Sequence, residues 1–325
     1  MSEANNNKPV IPIFFASDDN YVPFLAVTLY SLEQNADTNY QYDIKIMNAD
    51  NISVENKFKL LAEFEKENFD IEFVDVLPYV EKIASKLHTR DYYSKSTYYR
   101  LFIPNMYPQY DKALYLDCDI AINESISKLY NINIGDNYVG AIPDQSVLYM
   151  SDEFKDYVEN RIGVESFKNY FNAGILVMNL KKLREVDFED KFIQLLSSVK
   201  FDVAQDQDYL NVICNGHVKF IEETWNSMPI PVDIKRPKVP ALVHYNLAFK
   251  PWHLDNVLYE EYFWDYARKT SYIETILNIK KSYSKAMQEN TERVTHNLIA
   301  LAKSQAEDSV ENDRIAKIVK SILQN

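Results

Sequence analysis

Ile11-Pro12-Ile13-Phe14-Phe15-Ala16 runs straight into Ser17-Asp18-Asp19-Asn20, and Tyr21 to Leu32 then places Phe24, Val27, Leu29 and Leu32 roughly on one side. The first six residues are apolar without alternation and rich in β-branched and aromatic side chains, which predicts a buried strand. Four polar residues end it, and the spacing beyond them predicts a helix. The unit then recurs. Tyr42 to Met47 reads as a second strand, and Ser53 to Phe69 as a second helix with Val54, Phe58, Leu61 and Phe64 at helical spacing. Ile71 to Val76 reads as a third strand. Strands alternating with amphipathic helices predict parallel βαβ units and an α/β sheet covered on both faces. Further strands are predicted at Ala113–Leu116, Val139–Ile142, Gly174–Asn179, His217–Ile221 and Ala241–His244.

The α/β pattern runs through about Leu254, so residues 1–258 are expected to form one domain. Pro229, Pro231, Pro237 and Pro240 crowd the stretch from Met228 to Pro240 and predict an ordered irregular loop beside the site. From Tyr259 the pattern becomes wholly helical, through Ile273, Ile276 and Leu277, then Val294, Leu298 and Leu301, then Ile315, Ile318, Val319 and Ile322. Ten acidic and ten basic residues lie between Glu260 and the end. A membrane-surface helix is usually richer in Lys and Arg. Residues 259–325 are therefore expected to be a helical extension that packs on the domain, or that serves a protein partner or a dimer.

Composition removes several functions. The chain has 325 residues, 35 Lys and Arg, 48 Asp and Glu, and a formal net charge of −13. That balance argues against a nucleic-acid binder, which needs a basic face for phosphates. No run of about 18 apolar residues predicts a membrane span, and Met1 to Val10 is polar and Asn-rich, unlike a signal peptide. Cys118 and Cys214 are the only cysteines and form no CxxC; a reducing cytoplasm is the expected compartment, with the inner face of the membrane as a peripheral location. The five glycines, Gly135, Gly140, Gly163, Gly174 and Gly216, build neither a dinucleotide fingerprint nor a P-loop. A phosphate-bearing ligand would need another device.

Four segments carry chemistry. The strongest is Ala113-Leu114-Tyr115-Leu116-Asp117-Cys118-Asp119-Ile120-Ala121-Ile122. In an extended backbone, i and i+2 project to the same side, so Asp117 and Asp119 are expected to point together. Two ionised carboxylates about 6 Å apart repel by roughly 3 kcal/mol at an effective dielectric of about 20. A divalent cation reverses that penalty, and hard oxygen ligands suit Mg²⁺ or Mn²⁺. The apolar flanks argue against a merely solvated acidic turn, and ligands in open α/β sheets bind at the carboxyl ends of strands. The second segment is Tyr170-Phe171-Asn172-Ala173-Gly174 leading into Ile175 to Leu180. Here Asn172 offers an amide to sugar hydroxyls and Gly174 permits close backbone approach, although a turn before a strand explains both. The third is Gln205-Asp206-Gln207-Asp208, of which helix N-capping by Asp206 would account for one residue. The fourth is His244-Tyr245 with Lys250-Pro251-Trp252-His253. His244 suits a neutral imidazole ligand or a structural histidine, Lys250 a point charge for phosphate, and Trp252 the core.

Together with Asp18 and Asn20, these segments resemble family 8 glycosyltransferases, the group holding bacterial lipooligosaccharide galactosyltransferases, glycogenin and general-stress transferases. Seven pieces over residues 11 to 254 carry the resemblance in the family's order: FFASDDNY (14–21), STYYRLFIP (96–104), KALYLDCDIAI (112–122), AIPD (141–144), YFNAGILVMNL (170–180), QDQDYLN (205–211) and VHYNLAFKPWH (243–253). The resemblance implies a Rossmann-like glycosyltransferase A-type domain, a UDP-glucose or UDP-galactose donor, a glycan or glycoprotein acceptor, Mn²⁺, and retention at the anomeric carbon. It assigns Asp117, Asp119 and His244 to the metal. Ala16 (through its backbone), Asp18 and Asn20 go to the uracil and ribose, Arg100 to the donor and Lys250 to the diphosphate. Asp144, Asn172, Asp206 and Gln207 become the sugar-facing groups, with Gln207, Asp144 and Asp206 the catalytic candidates.

The chain departs from the pattern at Asn246-Leu247-Ala248-Phe249, where several relatives have glycine. That puts the backbone approach to the diphosphate in doubt and turns Leu247 and Phe249 toward the acceptor side. Tyr92, Tyr93 and Thr97 are candidates for the acceptor mouth or for the core. Gln207 is a poor nucleophile, which favours same-face attack, with Asp144 as the alternative nucleophile. The competing function is a non-catalytic or self-glycosylating scaffold of the same fold.

Overall fold

A computed structural model describes residues 8–81 and 95–324. Nine strands, β1 (Val10–Ala16), β2 (Gln41–Asn48), β3 (Phe69–Asp75), β4 (Ala113–Leu116), β5 (Ile120–Ile122), β6 (Val139–Pro143), β7 (Phe171–Met178), β8 (Val218–Phe220) and β9 (Leu242–His244), are described. Seven of them form a sheet in the order β3-β2-β1-β4-β7-β6-β8, and β5 pairs with β9 in a two-stranded sheet. Ile11 to Phe15 are fully buried because β1 lies mid-sheet with both faces covered. Ile11, Ile13 and Phe15 enter the core on one face and Phe14 the core on the other.

The sheet is mixed α/β and mostly parallel, with one departure from the expected βαβ repetition. β3, β2, β1 and β4 run parallel, and β6 and β8 pair in parallel, but β7 is antiparallel to both β4 and β6. The apolar run 171–178 predicts burial but carries no sign of direction. Because β7 is reversed, its first residues, not its last, meet the carboxyl end of β4. Chain order reverses between β1 and β4, the switch point at which open sheets bind ligands.

Helix Val22–Gln34 is buried nearly all round, since the sheet covers one side and the C-terminal helices another. The second predicted helix is shorter than expected. It spans Val54–Phe64, capped by Ser53, which accepts from Asn56 N. Lys66 bridges back to Phe69, which already belongs to β3. The helix buries Leu60 and Phe64, whereas Val54 and Phe58 are 68% and 70% exposed.

From Glu260 the described chain is helical, at Glu260–Ala267, Ile273–Ser282, Lys285–Glu307 and Ser309–Leu323. Tyr272 and Ile276 join the first core; Ala302, Ala306, Ile315 and Ile322 join the second. No helix among the described residues is long and apolar enough to cross a membrane.

Candidate active site

β4 ends at Leu116, and Asp117 N extends its ladder by donating to Gly174 O at 2.8 Å. The chain then bends through Asp117-Cys118-Asp119 into β5. Thr28 pins that bend from behind, its Oγ1 lying 2.7 Å from Cys118 O and 2.9 Å from Ile120 O. The register of β5 on β9 sets Ile120 opposite His244, and Tyr245 N donates to Asp119 O at 2.9 Å. Two short pairings thus bring together residues more than a hundred positions apart.

Asp117, Asp119 and His244 converge with their ligand atoms within 4.8 Å of one another, the one such group of His, Cys, Asp and Glu side chains among the described residues. Each carboxylate is split between two tasks. Asp117 Oδ1 accepts from Arg100 Nη2 at 3.2 Å and from Tyr115 OH at 3.1 Å, while its Oδ2 lies 3.6 Å from His244 Nε2. Asp119 Oδ2 accepts from Lys250 Nζ at 2.6 Å, and its Oδ1 lies 3.3 Å from the same Nε2. His244 is buried, its Nδ1 is 2.9 Å from Asn226 Oδ1, and its Nε2 has no hydrogen-bond partner. A buried, unpaired imidazole nitrogen facing two carboxylate oxygens fits a divalent cation. Gly174 is the wall of this cage. A Cβ there would meet Asp117 Oδ2 at 2.4 Å and His244 Cε1 at 2.5 Å. Its close approach is therefore to the metal-ligand candidates.

Burial pushes the Asp119 carboxyl up, but the Lys250 ammonium leads the charges that hold the group well below the usual carboxylate range. Burial likewise lowers the affinity of Lys250 for its proton, and Asp119 more than restores it. Lys250 Nζ also donates to Tyr245 O at 2.7 Å. Arg100 is buried, stacks over the Tyr115 ring at 4.1 Å, and donates to Thr97 O and Ala173 O. Its Nε is 3.2 Å from Asp206 Oδ2, so one guanidinium pairs with Asp117 and Asp206 together.

Beside the cage lies an amide and carboxylate network. Asp144 caps the Gln145–Tyr149 helix, with Oδ1 accepting from Ser146 N, Val147 N and the Ser146 hydroxyl. Its Oδ2 accepts from Asn172 Nδ2 at 3.1 Å and Gln207 Nε2 at 2.9 Å. Gln207 Oε1 accepts from Ala173 N at 2.9 Å and Asn172 Nδ2 at 3.2 Å. Asp144 and Asn172 are buried, and Gln207 is only half-buried, so it presents this network to open space.

Capping by Asp206 does not occur. Gln205 occupies the N-cap position, with φ 50°, and Asp206 turns to Arg100. Burial raises the Asp206 carboxyl to about 6, with Arg100 and the Thr97 hydroxyl pulling it back. The fourth polar residue of that segment, Asp208, is buried too. It accepts from Tyr157 OH, Tyr170 OH and Ala204 N, and burial raises it to about 6.

The end of β1 adjoins the bend, with Cys118 Sγ donating to Ala16 O at 3.1 Å. Asp18 Oδ1 accepts from Asn20 N and Tyr21 N, and Asn20 is exposed. The proline-rich loop starts beside the network, where Met228 N donates to Gln145 Oε1. Leu247 takes the left-handed conformation, φ 53°, that glycine adopts freely, and it is 40% exposed. Trp252 is core, stacked on Phe24 at 4.0 Å. Tyr92 and Tyr93 lie outside the described residues.

Sequence reasoning missed Asn226, Tyr115 and Thr28. Tyr115 falls inside the quoted Ala113–Ile122 segment and alternates with Leu114 and Leu116. Asn226 and Thr28 carry no local signal, because both act across long sequence separations.

The family model described as glycosyl transferase family 8 matches residues 12–256. A Haemophilus influenzae relative is 34% identical over 253 residues, covering 74% of this chain and 72% of its own. The lipopolysaccharide 1,3-galactosyltransferase of Salmonella typhimurium is 26% identical over 191 residues, 53% of each chain. The crystal structure of galactosyltransferase LgtC in complex with donor and acceptor sugar analogues superposes with a TM-score of 0.65 at 28% identity, covering 80% of this chain and 96% of that one.

Proposed function

The chain belongs to glycosyl transferase family 8, and from that premise we propose that it is a retaining UDP-hexose-dependent transferase that moves glucose or galactose to a glycan or glycoprotein acceptor. The observation that carries the proposal is the unpaired, buried His244 Nε2 facing one oxygen each of Asp117 and Asp119. Carboxylate oxygens with one neutral imidazole suit Mn²⁺, and Mg²⁺ less well. Held there, the cation would supply Lewis-acid charge for a departing diphosphate. The residues of the transferase proper are taken as 1–258, with 259–325 an extension packed upon them.

The chain's own side chains supply the rest. An ammonium has three donors; Lys250 uses two on Asp119 and Tyr245 O, and its third side faces Tyr21, a partner that a phosphate oxygen would replace. Ala16, Asp18 and Asn20 at the end of β1 suit the uracil and ribose. Asp144 has donors on both carboxylate oxygens, which weakens it as a nucleophile and supports same-face attack. In that reaction an acceptor hydroxyl oxygen bonds to the anomeric carbon as its bond to UDP breaks, and the hydroxyl proton passes to the departing phosphate oxygen. Gln207, held by Ala173 N and Asn172, then offers a fixed dipole to the positive charge that develops on the sugar. Asp206 and Asn172 complete the sugar side.

Incubation with UDP-glucose or UDP-galactose, with and without Mn²⁺, tests this by free UDP and protein mass. UDP release that a chelator abolishes, and that Asp117→Ala loses while remaining folded, is the expected result. Mass rising in hexose steps would show self-glycosylation, and a native chain that binds neither donor would point to a scaffold.

A further inference from the structure

One chain of hydrogen bonds beside the cage has its polarity fixed at one end. Gly174 N is a backbone amide and can only donate, and it lies 3.0 Å from Asn172 Oδ1. That identifies the Asn172 oxygen. The same oxygen is 3.0 Å from Asn226, so the Asn226 atom facing it must be the NH₂ group. The other Asn226 atom, its carbonyl oxygen, then lies 2.9 Å from His244 Nδ1 and can only accept. Nδ1 therefore carries the proton. A neutral imidazole carries one N–H, so the lone pair falls on Nε2, the unpaired atom that faces Asp117 and Asp119. The far side of Asn172 agrees with this assignment, since its NH₂ meets Asp144 Oδ2 and Gln207 Oε1, both acceptors.

Asn226 is held firmly enough to impose this order. It is 0% exposed and ends the short helical turn Glu223–Asn226. The next residue is stitched to β9 on both sides, with Ser227 N donating to Leu242 O and His244 N donating to Ser227 O, each at 3.0 Å. The side chain that receives the Nδ1 proton is thus anchored to the strand that carries the histidine.

We propose that Asn226 is a positioning residue that sets the His244 tautomer for cation binding and ties the cation cage to the sugar-facing Asn172. The assignment rests on the divalent-cation reading of this site. Partners of the second ring nitrogen of a ligating histidine commonly change metal affinity by about 10–100-fold when removed.

The test titrates Mn²⁺ into the full-length chain and reads free Mn²⁺ by electron paramagnetic resonance, with folding followed by circular dichroism. Asn226→Leu removes both contacts; its Mn²⁺ affinity should fall by about 10–100-fold. Asn226→Asp keeps an acceptor for Nδ1–H but sets an oxygen against Asn172 Oδ1. Its Mn²⁺ affinity should stay close to native while turnover falls. A purely structural role would instead lower affinity in both variants in step with their loss of stability. Native Mn²⁺ affinity in Asn226→Leu would overturn the assignment. So would a folded Asn226→Asp that no longer binds Mn²⁺, and this variant carries the test if Asn226→Leu does not fold. A native chain that binds no Mn²⁺ would overturn the cation reading itself.

Discussion

Gly174→Ala adds one methyl group at the wall of the cage. Its Cβ would stand 2.4 Å from Asp117 Oδ2, 2.5 Å from His244 Cε1 and 3.1 Å from Asn172 Oδ1. Ordinary contacts begin near 3.5 Å, so two of the three proposed ligands are approached about 1 Å too closely. Gly174 cannot easily retreat, because Asp117 N donates to its carbonyl and its own N–H donates to Asn172. Overpacking of this kind costs about 1–3 kcal/mol. The smaller entropy of an unfolded alanine offsets about 0.4–1 kcal/mol of that, leaving roughly 1–2 kcal/mol. With an unfolding entropy of about 2.1 cal/mol/K per residue, a chain of this length loses about 1.5–3 °C in Tm. The effect on the cation should be larger than the effect on the fold. Metal ligands tolerate displacements of only about 0.2 Å, so Mn²⁺ affinity should fall at least about tenfold. Calorimetric melting and Mn²⁺ titration of the same preparation measure both. A variant that melts and binds Mn²⁺ like the native chain would show that Gly174, Asp117 and His244 are not packed as described.

Thr28→Val removes the hydroxyl behind the Asp117–Asp119 bend. Leaving buried carbonyls short of a donor should cost about 1–3 kcal/mol in urea unfolding and should also weaken Mn²⁺ binding; unchanged values for both would show that the bend does not depend on it. Asp208 tests the buried acid beside the sugar network. Burial raises its carboxyl to about 6 from the ordinary aspartate value of 3.8, so the folded chain holds this proton more tightly than the unfolded chain. Its contribution is complete below about pH 4 and is lost as pH rises through about 6, a change on the order of 3 kcal/mol. Asp208→Asn cannot titrate, so its stability should decline less steeply than that of the native chain between pH 4 and 6; an equal or steeper decline would contradict the buried, protonated acid.

The sheet is legible in the sequence because burial on both faces leaves nearly continuous apolar runs, as at Ile11–Phe15 and Ile175–Met178. The direction of β7 is not, since an apolar run looks alike in either sense, and the pairings with β4 and β6 reveal it, Ala113 facing Met178 while Leu116 faces Ile175. The end of the second helix is hidden because Lys66 to Asn68 lack glycine and proline, although they form the turn into β3. Asp117 and Asp119 stand out as charges set between apolar runs. Asp206 carries a capping pattern as well, and only the buried Arg100 explains why it turns inward. Asn226 offers no periodicity or spacing to read, because its meaning comes from two partners, Asn172, whose oxygen Gly174 N identifies, and His244 on β9.

The charge of the chain sets a further condition on the site. At −13 overall, the protein's diffuse field opposes a nucleotide diphosphate, and the two cage acids, with ligand oxygens within 4.8 Å of each other, repel by on the order of 3 kcal/mol in a medium of dielectric about 20. Arg100 and Lys250 meet that difficulty from outside the cage, each taking one oxygen of one aspartate. The other oxygen of each stays turned inward beside the bare His244 nitrogen. The two buried cations thus hold the acids in place, so a metal ion would bind there with little reorganisation. They also leave the inner face anionic, which favours a cation, and on the proposed function Lys250 would lend its positive charge to the diphosphate. On the proposed function, a site of this kind would admit the anionic donor only as part of a charge-balanced set, against the field of the molecule as a whole.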